Sequence, residues 1–133
     1  MCGISGYFGK ESSEPSKKHV HHTLKKMENR GKDGFGFDKV KLDNNKKLLF
    51  LHTRLSIIDP EIRSNQPLKD DEGMIVFNGM IYNFLEIRKK LIKKNIKFKT
   101  KSDTEVLLKF LNYYGIKKLN MLDGMWSFAY YNF

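Results

Sequence analysis

Strand-like segments occur in pairs along this chain, and helical segments separate the pairs. The stretch GFGFDKVKLDNNKKLLFLHT predicts two strands joined by a turn at residues 43–45, where Asp and Asn favour a chain reversal. The stretches CGISGYFG, GMIVFNGMIYN and MWSFAYYNF predict further strands. The first is expected to be buried, with close backbone contacts at Gly3 and Gly6, and the second to be interrupted at Gly79. This pattern predicts an α+β fold with antiparallel pairing.

Three segments between these strands predict helices. The first begins after Ser16, an N-cap residue, and ends before Gly31. The third begins with a capping box formed by Ser102 and Glu105, and it ends at Gly115. The apolar residues at helical spacing are Val20, Leu24 and Met27 in the first helix and Leu85, Ile87 and Leu91 in the second.

Composition narrows the class of protein. A length of 133 residues with 40% hydrophobic residues suits one domain, residues 1–133. The single cysteine excludes an internal disulfide, and no stretch has the features of a signal peptide or a membrane span. We therefore expect a cytoplasmic location and no membrane partner. The net charge of +10 reflects lysines scattered along helical segments such as IRKKLIKKN, so a solvated surface is favoured over nucleic-acid binding.

Titratable side chains raise two questions about chemistry. His19, His21 and His22 fit no standard zinc spacing, and no metal site is predicted. Cys2, in contrast, directly follows the initiator methionine, which is commonly removed before small residues. Removal would give one residue that carries both a thiol and a free α-amine. A small apolar residue at the start of a strand is the structural alternative.

Seven blocks of this sequence resemble a known family. They are MCGISGYFG, RGKDGFGF, HTRLSIIDP, SNQPL, FNGMIYNF, SDTEVLL and LDGMWSFAYY, and they cover nearly the whole chain. The chain thereby resembles the glutaminase domain of class II glutamine amidotransferases, in the asparagine-synthase branch. The resemblance implies an N-terminal-nucleophile-type αββα sandwich, in which two antiparallel sheets are stacked between helical layers.

The resemblance implies hydrolysis of glutamine to glutamate and ammonia through a thioester on Cys2. The α-amine of Cys2 would act as the base, because an α-amino group titrates near pH ~8. Asn78 and Gly79 would form the oxyanion hole, in which a side-chain N–H and a backbone N–H stabilise the developing negative charge. An Asn-Gly hairpin turn is the structural alternative for these two residues.

The same resemblance implies where L-glutamine binds. Arg54 would hold the α-carboxylate as a bidentate fork, and Asp103 would pair with the α-ammonium. An acidic residue in the first turn of a helix also has a purely structural use, because it interacts favourably with the helix dipole. Arg30 would support the nucleophile. The remaining lining residues would be the backbone of Leu55, Ser56, Ile57 and Ile58, together with Asn78, Gly79 and Met80.

Three departures from the family pattern matter. Lys32 stands where the family usually has proline, and Met80 stands where it has a glutamate that helps to bind the ammonium. The family's glutaminase domain also continues beyond the position of Phe133, so the domain is expected to be incomplete at its C-terminus. We expect an exposed, aromatic-rich final strand, marginal stability and a tendency towards self-association as a homo-oligomer.

No cofactor is expected in this chain. ATP and magnesium would belong to a separate synthetase domain or subunit that acts in trans and receives the ammonia. A truncated or degenerate domain that binds glutamine or a partner without turnover is the alternative.

Overall fold

Two antiparallel sheets of three strands form the centre of the fold. A computed structural model describes residues 1–133, which is the entire chain. The first sheet has the order β1-β3-β2, and the second has the order β4-β5-β6. The strands are β1 (Gly3–Lys10), β2 (Gly34–Leu42), β3 (Lys46–Arg54), β4 (Leu68–Lys69), β5 (Gly73–Ile81) and β6 (Gly124–Asn132).

Helices cover the outer faces of both sheets. The helices are α1 (Lys17–Met27), α2 (Phe84–Ile92) and α3 (Asp103–Tyr114), and 3-10 turns lie at Glu11–Ser13, Glu28–Arg30, Ile62–Ser64 and Ile116–Met121. α1 packs Val20 and Leu24 against Leu49 and Leu51 of β3. α2 and α3 pack on the second sheet through the largest apolar cluster of the molecule. The predicted α+β fold, with two antiparallel sheets between helical layers, is confirmed.

The alternation of side chains along each central strand divides the core into layers. In β3, Leu49 and Leu51 face α1, whereas Leu48 and Phe50 face the second sheet and meet Met74 and Val76 of β5. These inner-facing residues join the two sheets. They also bring the C-terminal end of β3 close to the middle of β5, where the candidate site lies.

The predicted helix ends agree with the structure. Ser16 caps α1 by accepting a hydrogen bond from the backbone N–H of His19, and Ser102 caps α3 by accepting one from Glu105. The turn between β2 and β3 places Asn44 and Asn45 at positive φ, which Asn tolerates better than most residues.

Three local predictions are wrong. β1 is the edge strand of its sheet and is only partly buried, with Phe8 exposed. β5 runs without a break through Gly79, which adopts a positive φ of 157° inside the strand. In α2, Ile87 and Leu91 are buried, but Leu85 is exposed because it lies two residues before Ile87, on the other side of the helix.

Close backbone contacts explain the glycines of β1. A Cβ atom at Gly3 would lie 2.6 Å from Thr53 Oγ1, and one at Gly6 would lie 2.8 Å from the carbonyl oxygen of Leu49. Both predicted contacts are therefore present. They allow β1 to approach β3, and Cys2 directly precedes this strand.

β6 lies at the edge of the second sheet, next to β5. Its side chains are partly buried or exposed, and Met125 is the most exposed of the apolar ones. The chain contains no helix of the length and apolar character needed to cross a bilayer.

Candidate active site

A cavity of about 230 Å³ opens where the start of β1, the end of β3 and the middle of β5 meet. Nine of the eleven predicted site residues line it: Cys2, Arg54, Leu55, Ile57, Ile58, Asn78, Gly79, Met80 and Asp103. Ser56 and Arg30 do not line it. Residues that are distant in sequence therefore converge on one cavity.

The thiol of Cys2 lies against the backbone of Leu55. Its Sγ accepts a hydrogen bond from the Leu55 N–H at 3.4 Å, and the thiol donates to the Leu55 carbonyl oxygen at 3.8 Å. Arg30, although exposed, donates from Nε to the carbonyl oxygen of Cys2 at 3.0 Å. Arg30 thus contacts the backbone of the predicted nucleophile from outside the cavity. Met1 is 66% exposed, so its removal would leave the core intact.

Asn78 and Gly79 present unpaired polar groups to the cavity. The Asn78 carboxamide makes no hydrogen bond within the chain, and its Oδ1 is buried. Gly79 requires its glycine because of its positive φ, and because a Cβ there would collide with the backbone of Met125 and Trp126. The Asn-Gly hairpin turn, which was the structural alternative for these two residues, is absent, since both lie within β5, opposite Ser127 and Trp126 of β6.

Arg54 is buried and its guanidinium is partly committed to the neighbouring loop. Nη1 donates to the carbonyl oxygen of Glu61 at 3.0 Å and to Asn65 Oδ1 at 2.8 Å, and Nη2 donates to the carbonyl oxygen of Asp59. A guanidinium has five N–H donors, so two remain for a ligand in the cavity. A carboxylate with two acceptor oxygens matches that number.

Asp103 contributes a buried carboxylate to the cavity. Its Oδ2 accepts a hydrogen bond from the backbone N–H of Ile81 at 3.3 Å, and no cationic side chain pairs with it. Burial raises the pKa of the Asp103 carboxyl above its ordinary value of 3.8, although backbone hydrogen bonds oppose the shift. The site therefore favours a cationic ligand group, which would replace the missing countercharge.

Ser56 does not line the cavity, and its backbone N–H is hydrogen-bonded to Asp33 instead. The Ser56 N–H donates to Asp33 Oδ2 at 2.7 Å, across the loop that follows β3. The contiguous run from Leu55 to Ile58 suggested four lining residues, but an irregular loop has no constant periodicity. Leu55, Ile57 and Ile58 line the cavity, and Ser56 instead fixes the loop to the start of β2.

Sequence reasoning missed eight further lining residues: Met1, Ser64, Gln66, Phe77, Tyr82, Ser102, Thr104 and Met125. It also missed His52, which is fully buried behind the cavity and contacts the carbonyl oxygen of Phe77 through Nε2 at 3.2 Å. Gln66 and His52 both lie within the quoted blocks SNQPL and HTRLSIIDP. A buried polar residue in a block of site residues is the signal that could have identified them.

Asp59 organises the loop that carries Ser64 into the cavity. Its Oδ2 accepts hydrogen bonds from the Lys101 N–H at 2.6 Å and the Ser64 hydroxyl at 2.9 Å. Burial acts to raise the pKa of the Asp59 carboxyl. The bonds from Lys101 and Ser64, together with Arg63, outweigh it and hold the pKa at about 2 instead of 3.8.

Asp59→Asn is expected to destabilise the protein at neutral pH by about 1.5–3 kcal/mol, the usual range for hydrogen bonds to a charged group. Asn tolerates the positive φ of residue 59, so the change tests charge rather than backbone strain. Because the folded pKa lies below the unfolded one, the stabilisation is present above pH 3.8 and is lost as the pH falls through about 2. Urea unfolding should show the two proteins diverging at pH 7 and converging near pH 2. An equal difference at both pH values would contradict this account.

Comparison with known proteins places this chain in a family. Residues 1–133 match the family described as "Glutamine amidotransferase domain". The chain is 38% identical over 132 residues to asparagine synthetase [glutamine-hydrolyzing] 1 of Arabidopsis thaliana, covering 97% of this chain and 21% of that protein. It is 35% identical over 137 residues to asparagine synthetase [glutamine-hydrolyzing] 1 of Bacillus subtilis, covering 99% and 21% respectively. The chain thus spans about a fifth of the length of these relatives.

A solved structure supports the fold. The glutamine phosphoribosylpyrophosphate amidotransferase of B. subtilis superposes with a TM-score of 0.71 at 19% sequence identity, over 97% of this chain and 35% of that one. The likeness confirms the expected N-terminal-nucleophile sandwich. With the family match extending over its whole length, this chain belongs to the glutamine amidotransferase domain family.

Proposed function

We propose that this chain hydrolyses glutamine to glutamate and ammonia, with Cys2 as the nucleophile. The observation that carries the proposal is the convergence of Cys2, Asn78, Arg54 and Asp103 on one cavity. The cavity thereby combines a thiol, an unpaired carboxamide, a cation with two free donors and an unpaired carboxylate. Each has a counterpart in glutamine, which carries a reactive amide, an α-carboxylate and an α-ammonium.

The proposed reaction proceeds through a thioester. After removal of Met1, the α-amine of Cys2 accepts the thiol proton, and the thiolate attacks the side-chain carbonyl carbon of glutamine. The C–S bond forms, the C–N bond breaks, and the ammonium returns the proton to the leaving ammonia. Water then hydrolyses the thioester, which releases glutamate and restores the thiol.

Asn78 and Gly79 are proposed to stabilise the tetrahedral intermediate. The carboxamide N–H of Asn78 and the backbone N–H of Gly79 would donate to the developing oxyanion, and a donor of this kind typically contributes ~3 kcal/mol to transition-state stabilisation. The unpaired state of the Asn78 carboxamide supports the proposal, because a buried polar group without a partner is costly unless a ligand completes it.

Arg54 and Asp103 are proposed to orient the amino-acid end of glutamine. Both are buried, and neither is neutralised by a side-chain ion pair. Arg54 would pair with the α-carboxylate and Asp103 with the α-ammonium. The two ion pairs would select an amino acid and direct its side chain towards Cys2. The backbone of Leu55, which contacts the thiol, is adjacent to Arg54 and links the two ends of the site.

Met80→Glu is expected to tighten glutamine binding. Met80 lines the cavity but cannot pair with the ammonium, and a charged hydrogen bond is typically worth ~1.5–3 kcal/mol. Calorimetry should therefore show about tenfold or greater improvement in affinity. Met80→Gln, which has a similar length without the charge, is the control. Unchanged or weaker binding by the glutamate variant would mean that Met80 lies away from the ammonium.

The direct test is ammonia release from glutamine by the Met1-trimmed chain, with asparagine as the comparison substrate. The proposal requires release from glutamine and production of an equal amount of glutamate. Binding of glutamine without release would favour the alternative, a domain that retains binding without turnover. Met80 is the observation that favours that alternative, because it removes one expected contact to the substrate.

We further propose that the ammonia serves an asparagine-synthase-like amidation. The names of the relatives from A. thaliana and B. subtilis support this proposal, and both proteins are about five times as long as the matched region. A synthetase domain or subunit that uses ATP and magnesium would then be the partner.

A further inference from the structure

Side chains, rather than a strand, satisfy the backbone of Phe77 on one edge of β5. The Phe77 N–H donates to Gln66 Oε1 at 2.6 Å, and the Phe77 carbonyl oxygen accepts from His52 Nε2 at 3.2 Å. Gln66 in turn donates from Nε2 to the hydroxyl of Thr104 at 3.2 Å. Both side chains are buried, so these bonds are shielded from water.

Phe77 lies next to the one unpaired residue on the edge of β5 that faces away from β6. Alternate residues of a strand direct their backbone groups to opposite edges, so Ile75, Phe77, Gly79 and Ile81 share the edge away from β6. Ile75 pairs with Leu68 of β4, and the Ile81 N–H donates to Asp103. Gly79 alone has no partner from the chain on this edge. The unpaired backbone of Gly79 therefore lies between Phe77 and Ile81, whose backbone groups on this edge are hydrogen-bonded to side chains.

We propose that His52 and Gln66 are positioning residues that hold Phe77 from both sides and thereby place Asn78 and Gly79 opposite Cys2. This inference rests on the proposed glutaminase function. The two side chains come from different parts of the fold, since His52 belongs to β3 and Gln66 to the loop before β4. His52 connects β5 directly to the strand that leads into Arg54 and Leu55, against which the thiol lies, and Gln66 connects β5 to Thr104 of α3.

His52 suits this role because it remains neutral. A carbonyl oxygen only accepts, so Nε2 must carry the proton, and Nδ1 is left unprotonated, buried and without a partner. Burial lowers the pKa of His52 to about 4, and the nearby charge of Arg54 acts in the same direction. The hydrogen bond to Phe77 therefore persists at neutral pH without a buried charge.

Four variants and one control test the proposal. His52→Leu and Gln66→Met remove the bonds at similar volume, whereas His52→Gln and Gln66→Glu retain a donor and an acceptor respectively. Thr53→Val is the control: it removes a buried hydrogen bond from Thr53 Oγ1 to the Met27 carbonyl oxygen on the opposite face of the same strand. This control should lose stability of the same order without affecting β5.

The expected result separates turnover from binding. In His52→Leu and Gln66→Met, kcat for glutamine should fall by ~10- to 100-fold while KM stays within about threefold, because the oxyanion donors shift but Arg54 and Asp103 remain in place. His52→Gln and Gln66→Glu should recover most of kcat, and Thr53→Val should retain it. An equal loss of kcat in Thr53→Val, or no recovery in the retaining variants, would overturn the proposal.

A second readout does not depend on turnover. Amide exchange at Phe77, measured by NMR, should become about tenfold faster in Gln66→Met than in Thr53→Val, since the protecting bond is lost. The Gly79 amide resonance should shift in His52→Leu and not in Thr53→Val. If the wild type releases no ammonia but these NMR changes occur, the glutaminase proposal fails and the positioning of β5 stands. If ammonia is released and the NMR changes are absent, the positioning role fails.

Discussion

Cys2→Ala is expected to reduce ammonia release from glutamine by at least ~10⁴-fold, because loss of a nucleophile removes the covalent route entirely. Cys2 is the only cysteine of the chain, so thiol chemistry has a single origin. An electrophilic glutamine analogue should label the trimmed wild type once, at residue 2, and should leave Cys2→Ala unlabelled. Intact-mass measurement gives the stoichiometry, and peptide mapping gives the position.

Two controls separate the thiol from its α-amine. A chain that retains Met1 has an amide at the nitrogen of Cys2 and should label much more slowly. The double variant Cys2→Ala, Ser5→Cys carries a thiol three residues further along, on β1, without an adjacent amine, and should not label. Equal labelling of the Met1-retaining chain would contradict the role of the amine as base. Labelling of the double variant would mean that the analogue reacts with any thiol on this strand.

Asp103→Asn is expected to weaken glutamine binding by ~10- to 100-fold and, at the same time, to stabilise the ligand-free protein at neutral pH. The first effect follows from loss of the charge that pairs with the ammonium. The second follows from burial, which raises the pKa of Asp103 above 3.8 and so disfavours its ionised form in the folded state. Asn retains an oxygen that can accept the Ile81 N–H.

The sign of the pH dependence is fixed by the direction of that shift. Between pH 3.8 and the raised folded pKa, the folded state binds more protons than the unfolded state, so stability falls as the pH rises through this window. The gain in melting temperature from Asp103→Asn should therefore be present at pH 7, shrink as the pH falls through the raised pKa of Asp103, and be lost below about pH 3.8. Glutamine affinity of the wild type should also weaken as the pH falls through the pKa of Asp103.

Glu105→Gln is the matched control for Asp103→Asn. Glu105 lies two residues further along α3 and is equally buried, but its carboxylate accepts bonds from the Lys99 N–H, the Thr100 N–H and the Thr100 hydroxyl at 2.6–2.8 Å. Replacement should destabilise the protein at pH 7, the opposite sign to Asp103→Asn. The same sign for both variants would contradict the prediction that the unpaired charge of Asp103 destabilises the ligand-free protein.

Local signals in the sequence were sufficient for most elements of the fold. Ser16 and Ser102 bond to backbone groups three residues away, and Asn44 and Asn45 adopt the turn conformation that their side chains favour. Such interactions depend on near neighbours in sequence, so they can be predicted from a single chain. The resemblance to an amidotransferase family supplied the site, and the cavity brings together all but Ser56 and Arg30 of its predicted members.

The remaining features depend on contacts that are remote in sequence. His52 reaches Phe77 across 25 residues, and Gln66 reaches Thr104 across 38. No periodicity or composition specifies such pairs. Leu85 shows the same limit on a smaller scale, because its exposure depends on which side of α2 meets α3, and the helix offers apolar residues on more than one side.

Arg54 has a consequence for the loop between β3 and β4. Two main-chain carbonyl oxygens and one amide oxygen gather around its guanidinium, as oxygen ligands gather around calcium in metal-stabilised loops. The loop is therefore organised by a cation that is covalently part of the chain and cannot be extracted by a chelator. Lysine would supply the charge but not the planar arrangement of donors. A protease should accordingly cut this loop far more readily in Arg54→Lys than in the wild type, even when no substrate is present.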